Sequence, residues 1–505
     1  MKFIMPFIFS FASILIHAQS KQDYTWLMGL EPGGSDYPIN CMNVLDFGDI
    51  NGLKITKELI DSRFFLSNVS ASNSDGNLLF YSNGCYIKDA NHQIMPNGNH
   101  LNPGSIYDDN CPDGGYTSQG IIILPSPGNP NKYYLFHQAF EIYNESPFVR
   151  TNRLYYTVVD MQQNNGMGDV ILKNQVVLGT TQYTGIQAVR HANNNDWWVI
   201  AMKQNGNKYY KVLLTENGIS EVDSQTIGDL LSINGGGQMC FSPDGTKFAK
   251  YDFMDQLMLF DFDRSTGLLS NYRQMDIDTN ELAFCGLAFS PNSKRLYLST
   301  QQKLWQLDLE APDILASKTL VGEFDGFVYE FFNLLFPVLF QRMQLGPDYK
   351  IYMTSHGPVA YMHVINNPDE PGLACNFVQR GLELPCSVNY SIPNFPNYRL
   401  GTGYPVCDSN IVYVSAAYES PPLQGVRVWP NPASYELHAE NNFAISKPAT
   451  LWLFNATGQA VRQWELSSGQ LGHTFSLEGL ADGMYFWKVG SEGQQIDSGK
   501  LVIIK

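Results

Sequence analysis

Charge is scarce in this 505-residue chain. Asp, Glu, Lys and Arg make up only 16% of it, against roughly 25% in an average domain. Basic residues are scarcer still: 32 Lys+Arg against 48 Asp+Glu leave a net charge of −16 at pH 7. So acidic a chain does not neutralise phosphates, and no nucleic-acid partner is expected. Beyond the N-terminus no apolar run reaches the length of about 18 residues that spans a bilayer. The sequence also lacks HExxH, GxSxG, Walker and GxGxxG patterns. It has no CxxC pair and no Cys/His spacing of a zinc site. Gly235-Gly236-Gly237 is not followed by the Lys and helix of a phosphate loop, and reads as the entry to a strand. What is present is 44% apolar and 13% aromatic residues, enough to bury large cores and to exclude disorder. Two or three domains are expected at this length.

Residues 1–18 place Lys2 ahead of an apolar stretch from Phe3 to Ile16. That is the pattern of a secretory signal peptide, with cleavage expected after Ala18. All eight Cys (41, 85, 111, 240, 285, 375, 386 and 407) lie beyond it. An even number in an exported chain permits disulfides. The most local candidate pair is Cys375–Cys386, and buried thiols are the alternative.

From about 60 to 400 one pattern recurs: a short apolar strand, a Pro/Asp/Asn/Gly turn, then an aromatic-rich strand. The copies are 70–82, 123–137, 189–201, 240–252, 288–300 and 344–355. Gly accepts positive φ, Pro fixes φ, and Asp or Asn caps the turn locally, so each copy predicts a hairpin. The first apolar residues after the turns are Leu78, Tyr133, Trp197, Phe248, Leu296 and Ile351, spaced by 55, 64, 51, 48 and 55 residues. A period near 50 predicts four-stranded β-propeller blades. Residues 19–400 then hold about seven. The clearest blade has strands at 237–243, 246–253, 256–263 and 268–275. The seventh is expected to combine 387–395 with strands near the N-terminus, at 24–30 and 42–47. EFFNLLFPVLFQRM (330–343) predicts either a strand pair or an inserted helix, placed as an insertion between blades. Residues 401–424, with Pro405 and Ser420-Pro421-Pro422, read as a linker. Residues 425–505 alternate apolar and polar positions between turns at Thr457-Gly458 and Asp482-Gly483, which predicts a small Ig-like antiparallel β-sandwich.

Two resemblances add to this reading. DGNLLFYSNG (75–84), NHQIMPNG (91–98), YTSQGIIILPSPGNPNKYYLF (116–136), VRHANNNDWWVI (189–200), FSPDG (241–245) and IPNF (392–395) together resemble a propeller-like family of exported Bacteroidetes proteins. That family has no assigned activity, so the resemblance implies a fold and no catalytic residue. VRVWPNPAS (426–434), TLWLFNATGQAV (450–461), TFSLEGLADGMYFWKV (474–489) and SGKLVIIK (498–505) resemble the C-terminal sorting domain of type 9 secretion cargo. This implies export through the periplasm and the outer membrane, with residues 425–505 engaging the type 9 secretion machinery. The expected location is extracellular or on the outer-membrane surface.

Candidate chemistry is sparse. In YDDNCPDGG (107–115), Asp108, Asp109, Asn110 and Asp113 offer oxygens of the kind Ca²⁺ takes, so calcium is the candidate cofactor. Cys111 and Pro112 break the EF-hand spacing. His191 with Asp196 is a candidate acid–base pair beside Trp197-Trp198. Adjacent residues on a strand point to opposite faces, so only one Trp can line a pocket. His356 and His363 have no metal-like partner at useful spacing. Two functions stay open. One is a surface binding or adhesion module for glycan or protein. The other is an extracellular hydrolase or lyase acting on polysaccharide or peptide. The apolar starts of the inner strands, such as GQMCF and CGLAF, favour the first.

Overall fold

The computed structural model describes residues 20–29, 40–49, 52–104, 107–108, 111, 113–115, 117–142, 149–180, 182–231, 237–277, 285–400, 426–429, 433–441, 449–455, 459–466, 472–491 and 494–505. The chain divides into two compact units, Met1–Val414 and Ser415–Lys505. The expected signal peptide (1–18), the whole of the expected linker (401–424) and Cys407 lie outside the described residues.

The first unit is a β-propeller of seven antiparallel blades. Blade 1 is Thr25–Met28, Asn40–Asp46 and Lys54–Ile60; blade 2 is Val69–Ser72, Leu78–Ser82 and Ile87–Asp89. Blade 3 is Ile121–Ser126, Asn129–Ile142, Val149–Asp160 and Asp169–Leu178. Blade 4 is Gln182–Arg190, Trp197–Lys203, Lys208–Thr215 and Gly218–Thr226. One pairing, Gln182 with Thr151, joins blades 3 and 4 into a continuous sheet. Blade 5 is Gln238–Phe241, Lys247–Asp252, Gln256–Asp263 and Leu268–Met275, the four strands expected from the sequence. Blade 6 is Gly286–Phe289, Arg295–Ser299, Lys303–Asp308 and Thr319–Glu323; blade 7 is Met343–Leu345, Ile351–Met353, Val359–Ile365 and Phe377–Val388. Along each blade the first strand is the innermost, and successive first strands touch from blade 1 to blade 7; blade 7 meets blade 1 through its outer strand, Phe377–Val388. In blade 4 the second strand, Trp197–Lys203, is buried almost throughout, whereas the outermost, Gly218–Thr226, is largely open to water.

Turn chemistry explains the repeat. In blade 5 the Ser242 hydroxyl donates to Asp244 Oδ1 (2.5 Å) and accepts from Lys247 N (2.9 Å), while Asp244 Oδ1 accepts from Thr246 N (2.9 Å). Blade 6 repeats this with Ser290, Asn292 and Arg295. Such local bonds satisfy turn amides that no strand can reach. Apolar side chains then fill the spaces between blades. Val189, Trp198, Phe248 and Phe260 form one such layer; Ala249, Leu259, Leu287 and Leu298 form the next.

Closure differs from expectation. The N-terminal strands form a blade of their own, and 377–388 is the outer strand of blade 7. The two blades are clamped by a disulfide between Cys41 and Cys386. Beside it Asn43 Nδ2 donates to Cys386 O (2.9 Å) and Asn43 Oδ1 accepts from Cys386 N (2.9 Å). Cys375 therefore does not pair with Cys386. Cys375 ends the short turn Gly372–Cys375 ahead of the strand Phe377–Val388, and Cys386 lies near the far end of that strand, where about 3.3 Å per residue carries them far apart. Cys85–Cys111 is the second bridge, and Cys240, Cys285 and Cys375 are thiols.

The segment 330–343 is no helix. It holds a two-stranded hairpin, Val328–Phe331 against Leu334–Pro337, inserted between blades 6 and 7. Phe332 and Asn333 turn it with φ of 51° and 61°, the tight two-residue geometry of primed turns. Pro337 would break a helix here by removing a donor and clashing with the preceding turn.

The second unit is a two-sheet sandwich. One sheet orders Val426–Trp429, Glu436–Asn441 and Gly472–Ser476. The other orders Ala460–Leu466, Ala449–Asn455, Gly483–Ser491 and Gln494–Ile503. Leu437, Leu451, Leu453, Trp487, Val489, Leu501 and Ile503 fill the space between them.

Candidate functional site: a plugged channel

Inner strands of a ring expose one hydrogen-bonding edge to the central channel. Unpaired buried N–H and C=O groups are costly, so each edge needs partners. Here carboxamides supply them, because one amide group both donates and accepts. Gln119, ahead of blade 3, donates Nε2 to Met239 O (2.9 Å) and accepts Met239 N at Oε1 (2.8 Å) on blade 5. Gln238, on blade 5, accepts from both Leu287 N and Met343 N (3.0 Å each), and its Nε2 donates to Met343 O (2.5 Å). These side chains are buried.

Residues 389–400 complete the network by running along the channel. Near the end where the inner strands begin, Thr354 Oγ1 donates to Tyr390 O (3.4 Å). Asn394 sits deep inside. Its Nδ2 donates to Ile121 O (3.0 Å), Ile186 O (3.2 Å) and Gln119 O (3.4 Å). Its Oδ1 accepts from Gln187 Nε2 (2.5 Å) and Gln119 Nε2 (3.3 Å). Farther along, the Tyr398 hydroxyl donates to Ile123 O (2.7 Å) and Asn397 Nδ2 to Pro243 O (2.8 Å). Arg399 then forms a two-pronged ion pair with Asp23 (2.7 and 2.8 Å), both side chains 4% exposed. The segment is a plug bonded to blades 2 to 5 and blade 7, and through Arg399 to Asp23 ahead of blade 1.

On the other side of the plug a small open cavity remains, with a volume of about 70 Å³. Phe395, Pro396 and Asn397 of the plug form one wall. Cys240, Phe241, Ser242, Leu287, Phe289, Gln344 and Leu345 of blades 5 to 7 form the other. Among the described residues that line it, Asp23 and Arg399 are the only charged ones, and they neutralise each other. Burial pushes the Cys240 thiol up to about 12, which disfavours the thiolate at neutral pH.

The residues singled out in the sequence lie elsewhere. Asp108 is exposed on a single helical turn, and the loop is pinned by Cys85–Cys111. Asp113 is held by the Arg63 guanidinium at 2.8 Å. Asp109 and Asn110 lie outside the described residues. Among the described residues no three His, Cys, Asp or Glu side chains are grouped to hold a metal ion. His191 joins two turns: its Nε2 donates to Ser265 O (3.1 Å) and its Nδ1 accepts from Asn193 N (3.0 Å). Asp196 accepts from Asn193 Nδ2 (2.8 Å). Asp196 is held within its own turn and His191 also reaches the turn at Ser265, so each side chain has partners other than the other. Trp197 and Trp198 do face opposite sides. Trp197 packs under Arg190 and against Tyr398; Trp198 bonds Arg264 O through Nε1 (2.9 Å). His356 bonds the Tyr390 hydroxyl (2.6 Å). His363 is buried, donating from Nε2 to Leu339 O (3.3 Å) and accepting Arg380 N at Nδ1 (3.2 Å). Gly237 does open an inner strand: a Cβ there would lie 2.0 Å from Tyr251 O. The carboxamides and the Asp23–Arg399 pair were not read from the sequence. The quoted IPNF motif, which contains Asn394, was the available signal.

Residues 427–505 match the family model described as a secretion system C-terminal sorting domain. No curated protein sequence matches the chain. Solved structures similar in fold include a provisionally named 6-phosphogluconolactonase from Bacteroides uniformis, 12% identical over 73% of this chain and 98% of that one, with a TM-score of 0.38. The extracellular domain of a provisionally assigned one-component system from B. thetaiotaomicron is 12% identical over 96% of this chain and 59% of that one (TM-score 0.37). The Swd1 β-propeller domain of Myceliophthora thermophila is 10% identical over 63% and 87% (TM-score 0.36).

Proposed function

We infer that the protein is cargo exported to the cell surface or the extracellular space, because its C-terminal unit matches a secretion system C-terminal sorting domain, and that its exported body is the β-propeller. We propose that this propeller is a binding module for a neutral glycan or an uncharged stretch of protein, not a hydrolase or lyase. The observation that carries the reading is the lining of the channel cavity: amides, a hydroxyl, aromatic and aliphatic side chains, and one self-neutralised ion pair. Hydrolysis of a glycosidic or peptide bond uses a carboxylate pair, an activated nucleophile or a metal. Among the described lining residues, the single carboxylate is committed to Arg399. Aromatic surface with a few fixed polar groups is the usual make-up of a ligand site. The purified protein is incubated with neutral and acidic polysaccharides and with peptides, scoring retention and released product in one assay. Retention of a neutral ligand without product is expected. Heat-sensitive product release contradicts the proposal.

A further inference from the structure

The solvent side of a two-sheet sandwich is ordinarily polar, because only the inner faces pack. The sorting unit departs from this on its four-stranded sheet. Alternation puts Leu451, Leu453, Tyr485, Trp487, Val489, Leu501 and Ile503 inside. The alternate positions of the same strands carry Trp452, Phe454, Met484, Phe486 and Val502 on the outer face, and Ile504 extends the row just past the last strand. Register makes them neighbours: Phe454 lies opposite Phe486, and Met484 opposite Val502. Met484 is 51% exposed, Phe486 38% and Ile504 57%. At one end of the stripe Trp452 lies opposite Lys488, and Phe486 opposite Lys500.

The geometry points to this outer face as the surface by which the sorting unit docks on the export machinery, at an apolar surface of a protein component of that machinery. A contiguous exposed apolar stripe marks an interaction site. Large aromatic and Met side chains are the types enriched at interface centres. The inference rests on the export reading and adds to it which face is read.

The test uses the full chain in a bacterium that exports it, with Met484→Ser/Phe486→Ser as the main variant. Both side chains point away from the core, so thermal unfolding of the purified variant is expected to match wild type. Fractionation is expected to show at least a tenfold rise in periplasmic protein. The single variant Ile504→Ser is expected to move the same way, and it decides the matter should the double variant unfold. His438→Ser, on the other sheet, is the control and leaves export unchanged. Normal surface levels for the folded variants overturn the inference. So does a wild-type dimer in sedimentation that the variant abolishes while its export stays normal, since the occupant is then a second copy. Deleting 425–505 separates the two layers. If the deletion also reaches the surface, the export reading fails; if only the face variants do, the face assignment alone fails.

Discussion

Asn394 is the residue on which the channel depends. Five hydrogen bonds tie it to the ends of blades 3 and 4 and to Gln119 and Gln187. Replacing it by Ala leaves the Ile121 and Ile186 carbonyls buried without their amide donor. Each such group costs about 1–3 kcal/mol, so a loss of roughly 3–4 kcal/mol is expected in urea unfolding. Buried histidines add a pH dependence. His137 is held between Asn102 and Thr157, and burial pushes both His137 and His363 down to about 3. In the unfolded chain they titrate near 6.5. The unfolded state therefore binds more protons below that value, and stability falls as pH drops through 6.5. Asp348 opposes this: burial raises it to about 6, so its share is lost as pH rises from about 4 to 6. Two histidines outweigh one carboxyl, and a net loss of about 2–3 kcal/mol is expected between pH 7 and 5. A flat urea midpoint over that range would contradict it. His363 and the IPNF motif holding Asn394 were noted in the sequence, but the burial and bonding of these residues were not legible there. Asn and Gln read as the surface polarity of a charge-poor chain, yet Asn43, Gln119, Gln238 and Asn394 are buried. An unpaired strand edge becomes visible only once the ring is closed.

At the scale of elements, the hairpins were legible because each turn carries its own chemistry. The four strands of blade 5 fall within the expected ranges for that reason. What is fixed by distant contacts was not legible. The run at 330–343 has the apolar density of either a helix or a hairpin, and its chain-reversing pair, Phe332-Asn333, is not a usual turn pair. The partner of Cys386 lies 345 residues away, beyond any local spacing argument. Closing so long a loop limits the unfolded chain, and a disulfide of this kind contributes on the order of 3–5 kcal/mol. Cys41→Ser is expected to lower the melting temperature of the propeller. Cys375→Ser, which breaks no bridge, is expected to have a much smaller effect. Equal effects would reject the clamp as the closing element.

For the whole molecule, the plug makes the C-terminal end of the propeller part of its own core. Truncation before residue 389 removes Asn394, Tyr398 and Arg399 together, and insoluble protein is expected. Truncation after residue 400 keeps every plug contact named above, and a folded propeller is expected. Recovery of soluble, cooperatively unfolding protein from the shorter chain would contradict this. The organisation into a propeller and a sorting sandwich was legible from periodicity and from the ordered motifs at the C-terminus. The site was not, because a neutral cavity leaves no motif.

The cavity is where the account stands or falls. The most direct measurement compares wild type with Gln344→Trp, which fills the cavity from blade 7, for retention of neutral polysaccharides and for released reducing ends. The account predicts retention by wild type, at least a tenfold loss in the variant at an unchanged melting temperature, and no product from either. Product that wild type releases and the variant does not would show that the channel is catalytic. Equal retention by both would place the ligand elsewhere.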